Sequence, residues 1–311
     1  MKEILKQSER INAHKHFVII NDMMIDSRMD NFISSFRKIF PQNRLKRFIH
    51  YYWISKSSSP INHSAKIIQD GCIYILFLFD AEYNIKMNNE NFTTISKAHI
   101  IGGKKINTYF AERGLINVLG IKFRPGGLYP FLKIPAKEFS DSFFNLEQLF
   151  GNVIREIEEK VYETKNPLDK IRIIESFLLN RISSNNNETP FTGLNMSNIL
   201  KSNDVVSIDQ LRSATGFSYK KIERIFLKEI GFTPKYLNRI IRFNHVLKSI
   251  HNKDFKTFSE LAYDNSYFDQ SHFIKEFEYF TGLTPQEFLN SFDTVRFIIA
   301  DQSDYYSRTH P

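Results

Sequence analysis

Residues 211–237 read LRSATGFSYKKIERIFLKEIGFTPKYL, and residues 261–288 read LAYDNSYFDQSHFIKEFEYFTGLTPQEF. The two segments share a pattern at a constant offset of 51 residues, in which Ile222, Phe226, Gly231, Thr233 and Pro234 recur as Phe273, Phe277, Gly282, Thr284 and Pro285. Each copy has a short apolar segment, a turn, a second segment with apolar residues four apart, and then Gly-x-Thr-Pro. This order, present twice, predicts two helix-turn-helix units.

Single residues mark the turn and the helix ends of the first unit. Ser207 is suited to cap one helix and Ser218 to cap the next. Gly216 lies between them, where a Cβ would be unfavourable. Gly231 then ends the second helix, and Thr233-Pro234 begins a third, because proline at the first helical position loses no hydrogen bond.

The helix after Ser218 has two distinct faces. Ile222, Ile225 and Phe226 form an apolar stripe that should face the core. The outer face carries the long polar side chains that a recognition helix needs, namely Lys220, Lys221, Glu223 and Arg224. The next helix, about residues 234–251, is apolar on more than one side, so we expect it to connect both units.

At these residues the sequence resembles the AraC/XylS family of bacterial transcription regulators. The second unit carries the most specific match, Tyr267-Phe268-Asp269-Gln270-Ser271-His272-Phe273 and Thr281-Gly282-Leu283-Thr284-Pro285, and the resemblance covers residues 192–291. It implies two units joined by one long helix, with recognition helices in the major groove of double-stranded DNA. Ser266 departs from the family pattern, which usually has Gly in the second turn. A positive φ at Ser266 would therefore be strained.

The resemblance also assigns DNA contacts. In the first unit Lys220, Glu223 and Arg224 are expected to reach base edges, because they surround Ile222 on the exposed face. The matching positions of the second unit are Ser271, His272 and Lys275. Arg and Lys favour guanine, whereas Glu223 can accept from a cytosine amino group. The alternatives are a solvated helix face or an internal salt bridge for each charged residue, and capping or packing for Ser271 and His272.

Charge is distributed unequally between the two units. Residues 201–256 hold twelve Lys and Arg against five acids, whereas residues 257–291 hold one Lys against six acids. Because phosphate contacts supply most non-specific affinity, this predicts that the first unit and the connector helix dominate DNA binding. The second unit then contributes little or awaits a partner such as RNA polymerase. The alternative is that its acids point away from DNA.

The rest of the composition is that of a soluble two-part protein. The chain has 311 residues, 42% of them hydrophobic, and no apolar run long enough to span a membrane. The N-terminal segment has charges throughout, which argues against a secretory signal and for a cytoplasmic location. The single cysteine, Cys72, excludes an intramolecular disulfide and a multi-cysteine zinc site, and we expect it to be buried.

The N-terminal part has a different pattern. Short β-type runs lie between about residues 45 and 123, namely 48–54, 73–79, 100–102, 106–110 and 116–123. Asp80-Ala81-Glu82 is predicted to be a hairpin turn. Helical spacing follows in residues 145–162 and 168–182. The fold class is therefore α+β: a small β barrel or sandwich with two following helices, then an all-α domain of two helix-turn-helix units joined by a long helix.

Residues 45–180 are also similar to a poorly characterised domain found ahead of AraC-type DNA-binding regions. The matching segments are Gln69-Asp70-Gly71-Cys72 and the run from Gly120 to Gly127. This implies a sensory or assembly domain. Arg124 beside two glycines can present its guanidinium to an anionic ligand, or it can pair with an internal carboxylate. Trp53 can line a pocket, but an aromatic residue in a strand more often belongs to the core.

An enzyme fused to a DNA-binding module is the alternative function. The sequence has no Gly-rich phosphate loop after a strand, no nucleophile elbow and no His-Glu-x-x-His motif, although scattered acids such as Asp70, Glu112 and Asp141 can meet in the fold. His14-Lys15-His16 has the alternation of a metal clamp but lacks a third ligand. We therefore expect no catalysis, no cofactor and no metal.

The resulting division of the chain has four parts. Residues 1–183 form a sensory or assembly domain, 184–191 a linker, 192–291 the DNA-binding domain and 292–311 a tail. The expected partner is double-stranded DNA, with no membrane contact, and the resemblance implies a homodimer. A small-molecule effector and RNA polymerase remain open as further partners.

Overall fold

The computed structural model describes residues 17–18, 33–42, 44–80, 82–87, 91–95, 97–103, 108–183 and 207–290. The predicted linker, the tail after residue 291 and the histidine pair at His14 and His16 lie outside these residues. So does the predicted start of the DNA-binding domain at residue 192. No helix among the described residues is long and apolar enough to cross a membrane.

The N-terminal domain consists of two packed sheets and several helices. Its strands are β1 (Phe17–Val18), β2 (Ile33–Ile39), β3 (Ile49–Ser57), β4 (Ile61–Ile67), β5 (Ile73–Leu78), β6 (Glu82–Met87), β7 (Thr93–Thr94), β8 (Ala98–Ile101), β9 (Thr108–Gly114), β10 (Asn117–Phe123) and β11 (Phe143–Asn145). One sheet has the order β1-β4-β9-β6-β7, and the other β11-β8-β5-β10-β3-β2. The predicted sandwich is confirmed, and the barrel alternative is wrong because the sheets do not close.

The six-stranded sheet is the central layer. Tyr74 and Leu76 of β5 pack against the five-stranded sheet, whereas Ile75 and Phe77 pack against the helices on the other face. Both faces of the strand are covered, so all of β5 is buried. This explains why residues 73–78 read as a continuous apolar run rather than as an alternating one.

The hairpin predicted at Asp80-Ala81-Glu82 is wrong. Strand β5 before it belongs to the six-stranded sheet and β6 after it to the five-stranded sheet. The chain therefore crosses from one sheet to the other at this point. Turn residues identify where a strand ends, but they do not identify its pairing partner. Sequence patterns also missed strands β1, β2, β4, β6, β7 and β11.

The helices of this domain cover the central sheet. They are α1 (Tyr129–Leu132), a 3₁₀ helix (Ala136–Phe139), α2 (Leu146–Phe150), α3 (Val153–Glu163) and α4 (Pro167–Ser183). The first predicted helix is divided in two because Gly151 adopts a φ of +73° after α2. Ile154 and Val161 of α3 are buried beside Ile171 and Leu178 of α4.

The C-terminal region is all-helical. Its elements are α5 (Ile208–Thr215), α6 (Tyr219–Glu229), α7 (Pro234–Asn252), α8 (Phe258–Asp264), α9 (Gln270–Thr281) and α10 (Pro285–Asn290). Helix α7 is the predicted connector. Its residues Ile240, Phe243 and Leu247 are completely buried, in one core that contains Phe226 of the first unit and Phe277 of the second. Both units therefore share a single core built around α7.

Candidate nucleic-acid interface

The first helix-turn-helix unit has the predicted local structure. Ser207 Oγ accepts from Gln210 N at the start of α5, and Ser218 Oγ accepts from Lys221 N at the start of α6. Gly216 between them has a φ of +68°. The three predictions for this turn are confirmed, because a capped helix start and a left-handed glycine depend only on neighbouring residues.

Helix α6 presents its polar face to solvent. Ile222, Ile225 and Phe226 are buried, as predicted. Lys220, Lys221 and Arg224 are exposed, and Glu223 is partly exposed. The structure thus places all four predicted contact residues on the accessible side of the second helix of the unit.

The second unit repeats this construction with different caps. Thr257 caps α8, and Asp269 caps α9 by accepting from His272 N. Ser266 stands in the turn with a φ of +57°, the conformation that the family glycine would adopt without strain. The turn has kept its geometry despite the substitution.

The exposed residues of α9 include the predicted contact positions. Ser271, His272 and Lys275 are all accessible to solvent. His272 Nε2 lies 3.8 Å from Glu276 Oε2, one turn further along the helix. Ser271 does not cap the helix, since Asp269 has that role.

A charged cluster on the connector helix was missed by sequence reasoning. Arg239 Nε lies 2.9 Å from Glu276 Oε2, and Arg242 Nη2 lies 3.2 Å from Glu276 Oε1. The Glu276 side chain is only 4% exposed. The two arginines therefore hold α9 against α7. The available signal was their spacing of three residues, which places them on one face of the connector helix.

The N-terminal domain docks on the first unit. Ile68 belongs to the apolar core of the helical region. A Cβ added at Gly103 would lie 2.0 Å from Phe232 Cζ, so the glycine permits the close approach. Lys228 lies 5.2 Å from the ring centre of Tyr129, and its hydrogen bond to that hydroxyl raises the pKa of Lys228. The docked surface thus covers the C-terminal end of α6 and leaves its N-terminal half accessible.

A buried polar network is centred on Asp70, two residues after Ile68 at the docked surface. Asp70 Oδ2 is 3.0 Å from Lys122 Nζ and accepts from the Tyr74 hydroxyl at 2.5 Å, while Asp70 Oδ1 accepts from Cys72 N at 2.9 Å. Cys72 is buried and free, as predicted. Burial, with the Asp70 charge as a smaller cause, raises the pKa of the Cys72 thiol, which favours the unreactive protonated form.

The two ligand-site candidates occupy structural positions. Arg124 Nε donates to the main-chain oxygen of Lys46 at 2.8 Å. A Cβ at Gly127 would lie 2.0 Å from the main-chain oxygen of Phe48, so this glycine permits close packing. Trp53 is 9% exposed and meets the rings of Tyr51 and Tyr74 edge to face within the core. Among the described residues, no three His, Cys, Asp or Glu side chains are grouped to hold a metal.

Two family models match the chain. Residues 211–291 match a helix-turn-helix domain, and residues 37–145 match a domain of unknown function, DUF6597. The protein has an AraC-type helix-turn-helix domain at its C-terminal end. This AraC-type domain, preceded by the DUF6597 domain, makes the chain a DNA-binding transcription regulator.

Several solved structures are similar to this chain. ToxT from Vibrio cholerae matches with a TM-score of 0.37 and 13% identity over 75% of this chain and 99% of that chain. Unsaturated fatty acid bound ToxT matches with a TM-score of 0.36 and 14% identity over 77% and 98%. The AraC-like transcriptional activator CuxR matches with a TM-score of 0.26 and 12% identity over 71% and 88%. No curated protein sequence matches the chain.

Proposed function

We propose that this regulator recognises a specific DNA sequence by placing the first turns of α6 and α9 in successive segments of the major groove. The exposed basic face of α6 carries this proposal, because Lys220, Lys221 and Arg224 project from a helix whose opposite face is buried. That is the arrangement by which the second helix of such a unit reads DNA.

The residues of α6 have separate roles in this proposal. Arg224 donates two hydrogen bonds to a guanine, and Glu223 accepts from a cytosine amino group. Lys221 contacts a phosphate, and so does Lys220, in place of the base edge that the resemblance implies for it. These phosphate contacts set affinity rather than sequence. In α9, Ser271, His272 and Lys275 occupy the matching positions.

The role that we propose for the DUF6597 domain is control of DNA binding. It packs against the end of the helix that carries the recognition residues, so any change in its docking would reorient α6. The ionisable groups Asp70, Lys122 and Tyr74 inside it are paired with one another, as in a structural network. This pairing favours regulation over the alternative of a small-molecule enzyme.

A small-molecule effector fits a cavity at the edge of the sandwich. The cavity has a volume of about 340 Å³ and is lined by both sheets, including Ile85, His99 and Phe143. His99 in β8 is four residues before Gly103 at the docking surface. A ligand controls DNA binding only if it binds one docked arrangement better than another. A compound that raises Tm and changes DNA affinity would support this part of the proposal.

Dimerisation is the remaining part of the proposed function. The outer side of the helix pair α3 and α4 has a groove of about 570 Å³ that contains Val153, Ile157 and Phe177. Val153 is 54% exposed and lines the groove together with Ile157 and Phe177, and a grouped apolar surface of this kind is typical of interaction sites. Sedimentation over a range of concentrations should show a dimer that Val153→Glu weakens. A monomer at every concentration would contradict this assembly.

The central experiment is selection of binding sites from random duplexes, followed by footprinting. We expect an enriched sequence with two protected major-groove segments about 10 base pairs apart. Arg224→Ala should weaken binding to that sequence by about 1–3 kcal/mol and leave the melting temperature unchanged. Arg155→Ala is the control, because Arg155 is a 60% exposed arginine of α3 in the N-terminal domain, where it pairs with Glu147. Equal binding by Arg224→Ala and the parent would show that α6 is not the reading helix.

A further inference from the structure

A cleft of about 910 Å³ separates the two helix-turn-helix units. One wall is the start of α6, the other is α9, and α7 forms the floor. Its lining residues are Ile208, Tyr219, Lys235, Asn238, Arg239, Arg242, His272, Lys275, Glu276 and Tyr279. We call it the inter-unit cleft.

The inter-unit cleft is strongly basic. Four cations line it, three of them on the connector helix, against the single carboxylate of Glu276. That carboxylate is buried, and it is held by Arg239 and Arg242. Its charge is therefore neutralised inside the protein, and the cleft presents a positive charge to solvent.

Arg239 makes only one of its possible hydrogen bonds to the described residues. Its Nε donates to Glu276 Oε2 at 2.9 Å, while its two Nη groups have no hydrogen-bond partner among the described residues. The guanidinium lies 4.7 Å from the ring centre of Tyr279, and the side chain is 28% exposed. A guanidinium that is held in place through Nε and has its Nη donors available is suited to bind a phosphate.

The position of the cleft identifies its occupant. Tyr219 is the first residue of α6 and His272 is the third of α9, so the cleft lies between the leading ends of both recognition helices. Two major-groove segments on one side of a duplex are separated by a minor groove with phosphates along both edges. DNA bound by both helices would bring this backbone over the cleft.

We propose that the inter-unit cleft binds the DNA backbone between the two major-groove segments, with Lys235, Arg239 and Lys275 contacting phosphates. Arg242 and Glu276 are positioning residues, which orient Arg239 and fix α9 on the connector helix. The inference rests on the proposed DNA-binding function. It extends the expectation from charge that the first unit and the connector helix dominate binding, because it adds Lys275 of the second unit to the same surface.

A purely structural role for the arginine–glutamate cluster predicts a different outcome. Arg239→Ala and Glu276→Gln break the same ion pair, so a structural role requires both to weaken DNA binding. Backbone binding requires different effects on the salt dependence of binding to a random-sequence duplex. Arg239→Ala removes a phosphate-binding cation and should lower the salt slope, whereas Glu276→Gln keeps every cation of the cleft and should leave the slope unchanged.

The test measures affinity for a random-sequence 30-base-pair duplex at several salt concentrations, with the full-length protein. Removal of one phosphate-binding cation should lower the slope of log K against log salt by about 0.9. We expect this change for Lys235→Ala and Arg239→Ala, and none for Lys248→Ala, which lies on the same helix outside the cleft. Lys235 is not part of the ion pair, so its result holds even if Glu276→Gln fails to fold.

The outcomes separate this inference from the proposed function. Unchanged slopes for Lys235→Ala and Arg239→Ala, with Arg224→Ala still losing specific binding, would overturn the cleft alone. Lower slopes with no effect of Arg224→Ala would support the cleft and overturn the assignment of α6. Weaker binding by both Arg239→Ala and Glu276→Gln, with Lys235→Ala unchanged, would overturn the cleft in favour of a structural cluster.

Discussion

The side chain of Asn244 crosses the domain junction to the main chain at Gln69. Its Nδ2 donates to the Gln69 oxygen at 2.9 Å and to the Ile240 oxygen at 2.8 Å. Both Asn244 and Gln69 are buried. A buried amide that satisfies a carbonyl of another domain requires that domain to stay docked, so the connector helix and the sandwich should respond together to changes at their junction.

Gly103→Ala should disturb this docking. The added Cβ would lie 2.0 Å from Phe232 Cζ, and such overpacking costs about 1–3 kcal/mol. Thermal unfolding and limited proteolysis between the domains measure the effect. Phe232→Leu should reduce the cost, because it removes the clashing ring edge. If the effects of Gly103→Ala and Phe232→Leu on Tm were additive, the contact between residues 103 and 232 would not limit docking.

Asp70→Asn should be strongly destabilising. Lys122 would remain buried without its carboxylate, and breaking such a pair costs about 3–5 kcal/mol. Asp209→Asn is the control, since Asp209 is 91% exposed and 3.6 Å from Arg212. That surface pair contributes at most about 1 kcal/mol. Similar unfolding midpoints in urea for the two variants would contradict the structural role of Asp70.

Ser266→Gly should stabilise the AraC-type domain. Ser266 has a φ of +57°, where a side chain costs about 1 kcal/mol and glycine none. Ser213→Gly in α5 should destabilise the domain instead, because glycine in a helix interior costs about 0.5–1 kcal/mol of stability. Tm values for both variants give the comparison. A fall in Tm for Ser266→Gly would mean that the serine side chain itself is needed.

Stability should fall at high pH because of Glu112. Burial raises the pKa of Glu112 from 4.5 to about 8. The folded state therefore binds this proton more tightly than the unfolded chain, and its contribution is complete below pH 4.5 and lost as the pH rises through 8. Glu112→Gln should raise Tm more at about pH 9 than at about pH 5. An equal change in Tm at both pH values would show that the buried carboxyl of Glu112 is not the cause.

Lys220→Ala and Lys221→Ala should each reduce the salt dependence of DNA binding. Each residue is assigned one phosphate, so the slope of log K against log salt should fall by about 0.9. Affinity for selected and random duplexes should decrease by the same factor, because phosphate contacts carry no sequence information. A loss confined to the selected sequence would instead make either lysine a base-reading residue.

The N-terminal domain shows where sequence patterns reach their limit. Strand β5 was predicted nearly to its ends, since a run of apolar residues between turns is a local signal. Strand β5 pairs with β8 and β10, and no local sequence pattern shows which strands will be its neighbours. The same limit explains the wrong hairpin at Asp80: strand β5 ends before this residue, but the following strand joins the other sheet.

Local signals in the sequence were sufficient to predict the helix-turn-helix units. Ser207, Gly216, Ser218 and Thr233 act on residues only a few positions away, so a repeated spacing was sufficient to predict caps, turns and the buried helix face. The contacts between residues far apart in the chain became visible only in the folded protein. Glu276 pairs with Arg239 and Arg242, which lie 37 and 34 residues earlier, and Asn244 meets Gln69 across 175 residues. Such contacts depend on how the sheets and helices pack, because the separation of two residues along the sequence does not show whether they will meet in the fold.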